Sequence, residues 1–302
     1  MAAARWIDLW TPGEAELRAA LPPGVHDITV ARLLKPVDPD RPARPRLEAR
    51  DGYVFGVLVA PGADGHQGSI EEIDVVITAD TIVTVHKAPR APASLTFDAA
   101  IAAAARTGAA TGLSLYTVLD EVAERFLTVI DRFEEDIDNL EDHVTDWPSK
   151  TVRSRISQTR HDILHVRRTL APTRDAVRSI IDGRVDPEGP NELFPREVEL
   201  RFADTYDKLL RATDALDLTR DLLAGVRDFH QAEIANEQNE VTKRLAAIGS
   251  ILLVPTFIVG LYGQNFRTIP EYHWRFGYLW SWFLIVVSTV GQVWYFRRRR
   301  WL

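Results

Sequence analysis

The chain has 302 residues, of which 46% are hydrophobic and 26% charged, enough for one large domain or two smaller ones. Its 36 basic and 43 acidic residues give a net charge of −7, which argues against a general nucleic-acid-binding protein, normally basic. The absence of cysteine excludes a disulfide scaffold, a thiolate zinc site and a cysteine nucleophile.

Residues 1–94 have the pattern of a small α/β domain. The segment Trp6–Trp10 predicts a strand, and Pro12–Leu21 predicts a helix with Thr11 as its N-cap. Three runs rich in β-branched residues predict further strands at 53–60, 73–78 and 81–86. Proline-rich stretches at 36–45 and 89–92 predict loops.

Residues 95–240 are predicted to be helical. Apolar residues recur every three or four positions from Leu119 to Val144, and acidic residues cover the other faces of this segment. The next segment, Lys150–Ile180, is basic, and Trp147-Pro148-Ser149 forms a turn between them. This order predicts an antiparallel hairpin whose opposite charges pair and fix its register.

A third helical pattern begins near Phe194 and continues into an apolar segment. Some 70 helical residues would measure on the order of 100 Å, so we expect this helix to pack against copies of itself. Its recurring acids are compatible with a solvated face or with the cation-attracting wall of a funnel. They are Asp204, Asp207, Asp214, Asp217, Asp221 and Asp228.

The last region, residues 241–302, differs in composition from the rest. It has a net charge of +7, whereas the first 240 residues have −14, and the mean hydropathy of −0.12 conceals this segregation. Leu245–Gly263 and Phe276–Phe296 are uncharged and long enough to cross a bilayer, with aromatic residues near their ends. Basic residues flank both on the same side, which predicts cytoplasmic termini and an external loop at 264–275.

One face of the first span is small or weakly polar, with Leu245 and Leu253 as bulky exceptions. Such a face is typical of a helix-packing seam, but copies of it around an axis would form a pore lined by oxygens and constricted by leucines. Its residues, three or four positions apart, are Asn239, Thr242, Ala246, Gly249, Leu253, Thr256 and Gly260.

The end of this span, Gly260-Leu-Tyr-Gly-Gln-Asn-Phe266, resembles the Tyr-Gly-Met-Asn-Phe signature of the CorA family of divalent-cation transporters. The pre-pore segment 239–245, the outer loop 270–277 and the basic ending 297–302 are also similar to that family. The resemblance implies an α+β cytosolic N-terminal domain, long α-helices and a two-helix C-terminal transmembrane hairpin, assembled as a homopentameric funnel.

The resemblance also implies roles for individual residues. The pore positions would be Asn239, Thr242, Leu245, Ala246, Gly249, Leu253, Thr256 and Gly260, and the selectivity motif Tyr262, Gly263, Gln264 and Asn265. Asn265 would contact the hydrated ion, which suits Mg²⁺ because this ion dehydrates reluctantly. Gln264 replaces the family's Met. Asp204 matches one carboxylate of a regulatory cation site, but Ala31 and Arg32 stand where the second is expected.

We therefore expect a passive, channel-like transporter in the plasma membrane, carrying Mg²⁺ and also Co²⁺ or Ni²⁺. It would be no enzyme and would have no resident cofactor, because the divalent cation is its substrate and candidate regulator. Its partners would be four further copies and membrane lipids, not nucleic acid. The predicted domains are 1–94, 95–240 and 241–302. Two alternatives are a Zn²⁺ transporter of the same fold and a non-conducting membrane scaffold or cation sensor.

Overall fold

The structure is a computed structural model and describes residues 4–38, 43–63, 70–185, 187, 193–264 and 273–302. The chain forms two compact units that divide between Arg227 and Asp228. The elements in chain order are β1 Arg5–Trp10, α1 Glu14–Ala20, α2 Asp27–Leu34, β2 Arg46–Arg50, β3 Tyr53–Pro61, β4 Ile70–Ile77, β5 Thr81–His86, α3 Asp98–Thr107, α4 Thr111–Asp142, α5 Ser149–Ile181, α6 Arg196–Tyr262 and α7 Gly277–Arg298.

The first unit is built on a five-stranded sheet with the order β1-β5-β4-β3-β2. Only the β1–β5 pair is parallel among these neighbours. Strand β3 is buried along its whole length, with Val54 and Leu58 in the core on one face and Phe55 and Val57 in the core on the other. Such a strand is apolar without interruption because it has no solvent face.

The four strands expected near the N-terminus are confirmed, with ends shifted by up to three residues. The expectation that Thr11 caps the first helix is wrong, because α1 begins at Glu14 and its N-cap is Gly13. Thr11 instead donates its N–H to His86 O at 2.9 Å, which extends the β1–β5 pairing. Neither α2 nor β2 was predicted, and part of the proline-rich stretch 36–45 lies outside the described residues.

A buried ion pair fastens α2 to the sheet. The Lys87 ammonium lies 3.0 Å from the Asp74 carboxylate on β4, and both side chains are almost completely buried. The same ammonium donates to the carbonyl oxygens of Arg32, Leu33 and Lys35 at 2.8, 2.5 and 3.1 Å, where α2 ends. Burial raises the pKa of Asp74 to about 6, although the Lys87 charge acts in the opposite direction.

The helices α4 and α5 and the first half of α6 form a large apolar core with one face of the sheet. The predicted stripe of α4 is buried, including Leu119, Phe126, Phe133 and Leu140. A turn around Trp147 leads from α4 into α5, and the two helices contact each other. The helical organisation expected between residues 95 and 240 is therefore present.

The expected pairing of opposite charges between α4 and α5 is wrong. Among the described residues, no α4 carboxylate forms an ion pair with α5. Lys208 of α6 instead binds Asp120 and Glu124 of α4 at 2.8 and 2.6 Å. Arg167 of α5 faces Asp217 of α6 at 3.4 Å. Apolar side chains occupy the buried face of α4, so its acids lie on the outside, and α6 supplies the partner of two of them.

The second unit contains the end of α6 and all of α7, which are, among the described residues, the two helices long and apolar enough to cross a membrane. A hydrogen bond from Gln292 Nε2 to Ser250 O at 3.3 Å joins them. Ala247 and Phe296 are buried in this hairpin. Pro255 lies inside α6, and the helix continues through it to Tyr262.

Candidate ion-conduction site

The membrane segment of α6 has two distinct faces. Ala247 is buried and Ser250, Ile251, Val254 and Ile258 are half-buried, at helical spacing, on the side joined to α7 by the Ser250–Gln292 bond. The other side is exposed in the single chain. The hairpin therefore leaves one face of α6 available for contact with water, lipid or another copy.

The residues predicted to line a pore all lie on the exposed side: Asn239, Thr242, Leu245, Ala246, Gly249, Leu253, Thr256 and Gly260. Leu245 and Leu253 are 65% and 69% exposed, large fractions for leucine. A Cβ added to Gly249 or Gly260 would meet no atom within 4 Å. These small residues are therefore not required for packing between α6 and α7.

The two threonines of this face hold their hydroxyl groups in defined positions. Thr242 Oγ1 donates to Gln238 O at 2.8 Å, and Thr256 Oγ1 donates to Leu252 O at 2.7 Å. Because each proton is used within the helix, the lone pairs of each oxygen stay free to accept hydrogen bonds. Such oxygens can bind the water shell of a cation without stripping it.

The selectivity motif begins where α6 ends at Tyr262. Gly263 donates its N–H to Val259 O at 2.9 Å, and Gln264 donates to Leu261 O at 3.4 Å. A Cβ at Gly263 would lie 3.1 Å from Val259 O, so this close turn favours glycine. Gln264 is exposed, and Asn265 lies outside the described residues.

Asp204, the candidate regulatory residue, is exposed on α6 in the first unit. It lines a shallow depression of about 510 Å³ together with Asp207, Lys208 and Arg211. Burial acts to lower the pKa of Lys208, but its hydrogen bonds to carboxylates of α4 raise it well above the ordinary value, so a fixed cation lies in this depression. Arg32 does not line this depression. It lines a different one together with the buried Glu72.

Across the described parts of the chain, no group of three or more His, Asp or Glu side chains is placed to hold a metal ion. A single copy therefore does not present a complete carboxylate site at Asp204. A cation bound there would need ligands from another chain or from water.

The following three solved structures share this architecture. The CorA magnesium transporter from Methanocaldococcus jannaschii matches with a TM-score of 0.79 and 21% identity, over 98% of this chain and 91% of that chain. The full-length CmaX protein matches with a TM-score of 0.68 and 20% identity, over 98% and 88%. The ZntB cytoplasmic domain from Vibrio parahaemolyticus matches with a TM-score of 0.60 and 14% identity, over 76% and 88%.

The cobalt/magnesium transport protein CorA of Thermotoga maritima is 26% identical over 286 residues, which cover 92% of this chain and 77% of that protein. The chain thus has the fold of these proteins and two helices long and apolar enough to span a membrane. The family model for CorA-like Mg²⁺ transporter proteins matches residues 2–298. The chain belongs to the CorA family, which confirms the resemblance and the expected fold.

Proposed function

We propose that five copies of the chain form a passive channel that conducts Mg²⁺, and also Co²⁺ and Ni²⁺, through the plasma membrane. The observation that carries this proposal is the exposed face of α6. The residues of this face are uncharged and mostly small, and they include the hydroxyl oxygens of Thr242 and Thr256. Five such faces around an axis would enclose a path for a hydrated cation. The proposal includes both termini in the cytoplasm and an external mouth formed by Tyr262 to Asn265.

The chemistry of the face fits a cation that keeps its water. Thr242 and Thr256 oxygens would accept hydrogen bonds from the ion's first-shell waters, so entry would not require dehydration. Rings of Leu245 and Leu253 would form two apolar constrictions, which exclude water unless the helices separate. The membrane potential and the concentration gradient would drive the ion, so no covalent chemistry and no resident cofactor are needed.

The charge distribution also supports cation transport. The first 240 residues have a net charge of −14, and five copies would concentrate this charge around one axis. A field of that sign attracts divalent cations at physiological salt over about 8 Å. Asp204 is proposed as a regulatory position whose other ligands come from a neighbouring copy, but not from its Ala31 or Arg32, since neither is a carboxylate.

The test is cation flux into liposomes that contain the purified full-length chain and a trapped fluorescent indicator. We expect Mg²⁺ influx that follows the imposed gradient and voltage, with slower Co²⁺ and Ni²⁺ influx and no dependence on a proton gradient. Absence of flux for every divalent cation would support the scaffold or sensor alternative instead.

A Zn²⁺ transporter of the same fold is the second candidate, and the observation that favours it is Gln264 in place of the signature Met. A side chain that both donates and accepts hydrogen bonds changes the chemistry of the outer mouth. Zn²⁺ influx without Mg²⁺ influx would establish this candidate. If the ion ranking is the same in Gln264→Met, Gln264 does not set selectivity.

A further inference from the structure

Basic side chains gather at one end of the membrane hairpin, and the conduction path proposed above does not include them. Lys243 and Arg244 precede the apolar part of α6, and Arg297–Arg300 end α7. All six are exposed. We call these six residues the basic cluster.

The hydrogen bond between Gln292 and Ser250 sets the register of the two helices. Lys243 lies seven residues before Ser250, and Arg299 lies seven residues after Gln292, so each is about 10 Å from that bond. Because α7 returns antiparallel to α6, these steps lead in the same direction. The two halves of the basic cluster therefore lie at the same depth in the membrane.

Aromatic rings hold two of the guanidinium groups in place. Arg298 lies 5.5 Å from the centre of the Trp294 ring, and Arg299 lies 5.8 Å from that of Tyr295. Trp and Tyr prefer the membrane–water interface, so the rings fix these cations at headgroup level. A guanidinium that lies over a ring still has N–H groups that can bind an anion.

None of the arginines of the basic cluster forms an ion pair in the part of the chain that the structure describes, although the charge of Arg244 acts on Glu240. Lys243 binds Glu240 at 2.9 Å, but none of the five arginines lies within 4.0 Å of a carboxylate. Exposed apolar side chains, including Val287, Val290 and Trp294, continue along α7 from the cluster into the membrane. Unpaired cations next to an apolar surface are complementary to a ligand that has both a phosphate and acyl chains.

We propose that the basic cluster binds an anionic phospholipid of the cytoplasmic leaflet. Its phosphate would lie between Lys243 and Arg244 on one side and Arg298 and Arg299 on the other, with acyl chains along Val287 and Val290. Arg is suited to this because its planar group donates two parallel hydrogen bonds to a phosphate. The proposal rests on both helices spanning the membrane, but not on which ion is carried.

The test measures which lipid the full-length chain prefers. The chain is placed in phosphatidylcholine bilayers that contain a trace of either spin-labelled phosphatidylglycerol or spin-labelled phosphatidylcholine. Electron paramagnetic resonance measures the motionally restricted fraction of each probe. We expect restriction of phosphatidylglycerol to exceed that of phosphatidylcholine by about fivefold or more, and to decrease as salt is raised. The double variant Arg298→Gln/Arg299→Gln should lose most of this preference, and Arg298→Lys/Arg299→Lys should keep part of it.

Arg275→Gln is the matched control, because Arg275 lies at the opposite end of α7 and should leave the preference unchanged. Lys243→Gln tests the cluster from the other helix if the double variant does not fold. Equal restriction of both lipids, or loss of preference only in Arg275→Gln, would overturn the proposal. So would displacement of the lipid by inorganic phosphate but not by sodium chloride of the same ionic strength, which would show a free-anion site. A lipid preference that persists in a preparation without cation flux would refute only the transport proposal.

Discussion

Gly249 and Gly291 are a matched pair of positions, because both are open to a larger side chain but only Gly249 lies on the proposed pore face. Both are exposed glycines in membrane helices, and a Cβ at either position would meet no atom within 4 Å of the chain. Gly249 lies on the face of α6 proposed to line the pore, whereas Gly291 lies on α7. The pair therefore separates pore lining from general tolerance of a larger side chain.

We predict that Gly249→Leu abolishes Mg²⁺ influx, because five leucine side chains would fill the axis, while Gly291→Leu retains it. Both variants should insert, since a Cβ at either position has open space around it within its own chain. Indicator fluorescence in liposomes measures the influx. Normal influx in Gly249→Leu would remove this face of α6 from the conduction path.

Asp74 gives a prediction for pH dependence. Its pKa of about 6 in the folded chain exceeds the ordinary value of 3.8, so the folded state binds the proton more tightly than the unfolded state. The Asp74 contribution to stability should therefore be fully present below about pH 4 and be lost as the pH rises through 6. Its size should reach at most about 3 kcal/mol.

The measurement is the melting temperature of the full-length chain in detergent between pH 4 and 8, compared with Asp74→Asn. The wild type should lose stability relative to the variant as the pH rises, because only the wild type gains a buried charge. The other titrating groups are common to both proteins, so their effects cancel in the difference between the two melting temperatures. A difference that does not change with pH would contradict the raised pKa.

At the scale of elements, the contact between the start of α4 and the start of α6 depends on a glycine. A Cβ at Gly112 would lie 2.4 Å from Leu193 O, a backbone atom that cannot move aside cheaply. Gly225, inside α6, has nothing within 4 Å of the corresponding position. The same substitution should therefore have opposite effects at these two sites.

We predict that Gly112→Ala lowers the free energy of unfolding by about 2 kcal/mol, because the backbone must separate to admit the methyl group. Gly225→Ala should raise it by about 0.5–1 kcal/mol, since alanine favours the helix and meets no neighbour. Denaturant unfolding followed by circular dichroism compares the two. Stabilisation by Gly112→Ala would show that α4 and α6 are not in such close contact.

The sequence predicted those helices and strands whose own residues show a helical or strand-like pattern. The strands β3, β4 and β5 have runs of β-branched residues, and the buried stripe of α4 repeats every three or four positions. The short helix α2 has only eight residues, and β2 has the sequence Arg-Leu-Glu-Ala-Arg at the sheet edge, where one side faces solvent. Such elements form because neighbours pack on them, which no local pattern reports.

The sequence also predicted part of the candidate site. Spacing placed seven of the eight proposed pore residues on one helix face, and Leu245 was added from the family resemblance. In the structure all eight are exposed, and their role in conduction stays a prediction. The partners of the α4 acids could not be predicted, because Lys208 lies more than 80 residues away from Asp120 in the chain. The Asp74–Lys87 pair was missed for a related reason, since burial, which sets its chemistry, comes from the packing of α2.

At the scale of the whole molecule, α6 has apolar side chains that the first unit does not cover. Leu218 and Leu222 are 57% and 43% exposed and lie one turn apart on the same face. Apolar pairs on a helix that is otherwise rich in acids are suited to contact with a second copy. They provide a test of the proposed pentamer outside the membrane.

We predict that Leu218→Ser/Leu222→Ser weakens assembly and leaves the fold of each chain intact. Light scattering after gel filtration in detergent should show a mass below that of the wild-type assembly. Ile28→Ser is the control, because Ile28 is 81% exposed on α2 and its loss should not change the mass. An unchanged mass in the double variant would place the contact between copies elsewhere.

The passage of α6 through Pro255 has a mechanical consequence. Proline has no N–H, so Ile251 O lacks the donor that would close its turn of the helix. Everywhere else along the span, bending must break a complete hydrogen bond, and the bilayer interior offers no water in compensation. Bending α6 at this turn breaks one bond fewer. We therefore expect α6 to bend more easily at this turn, next to Leu253, than elsewhere along the span.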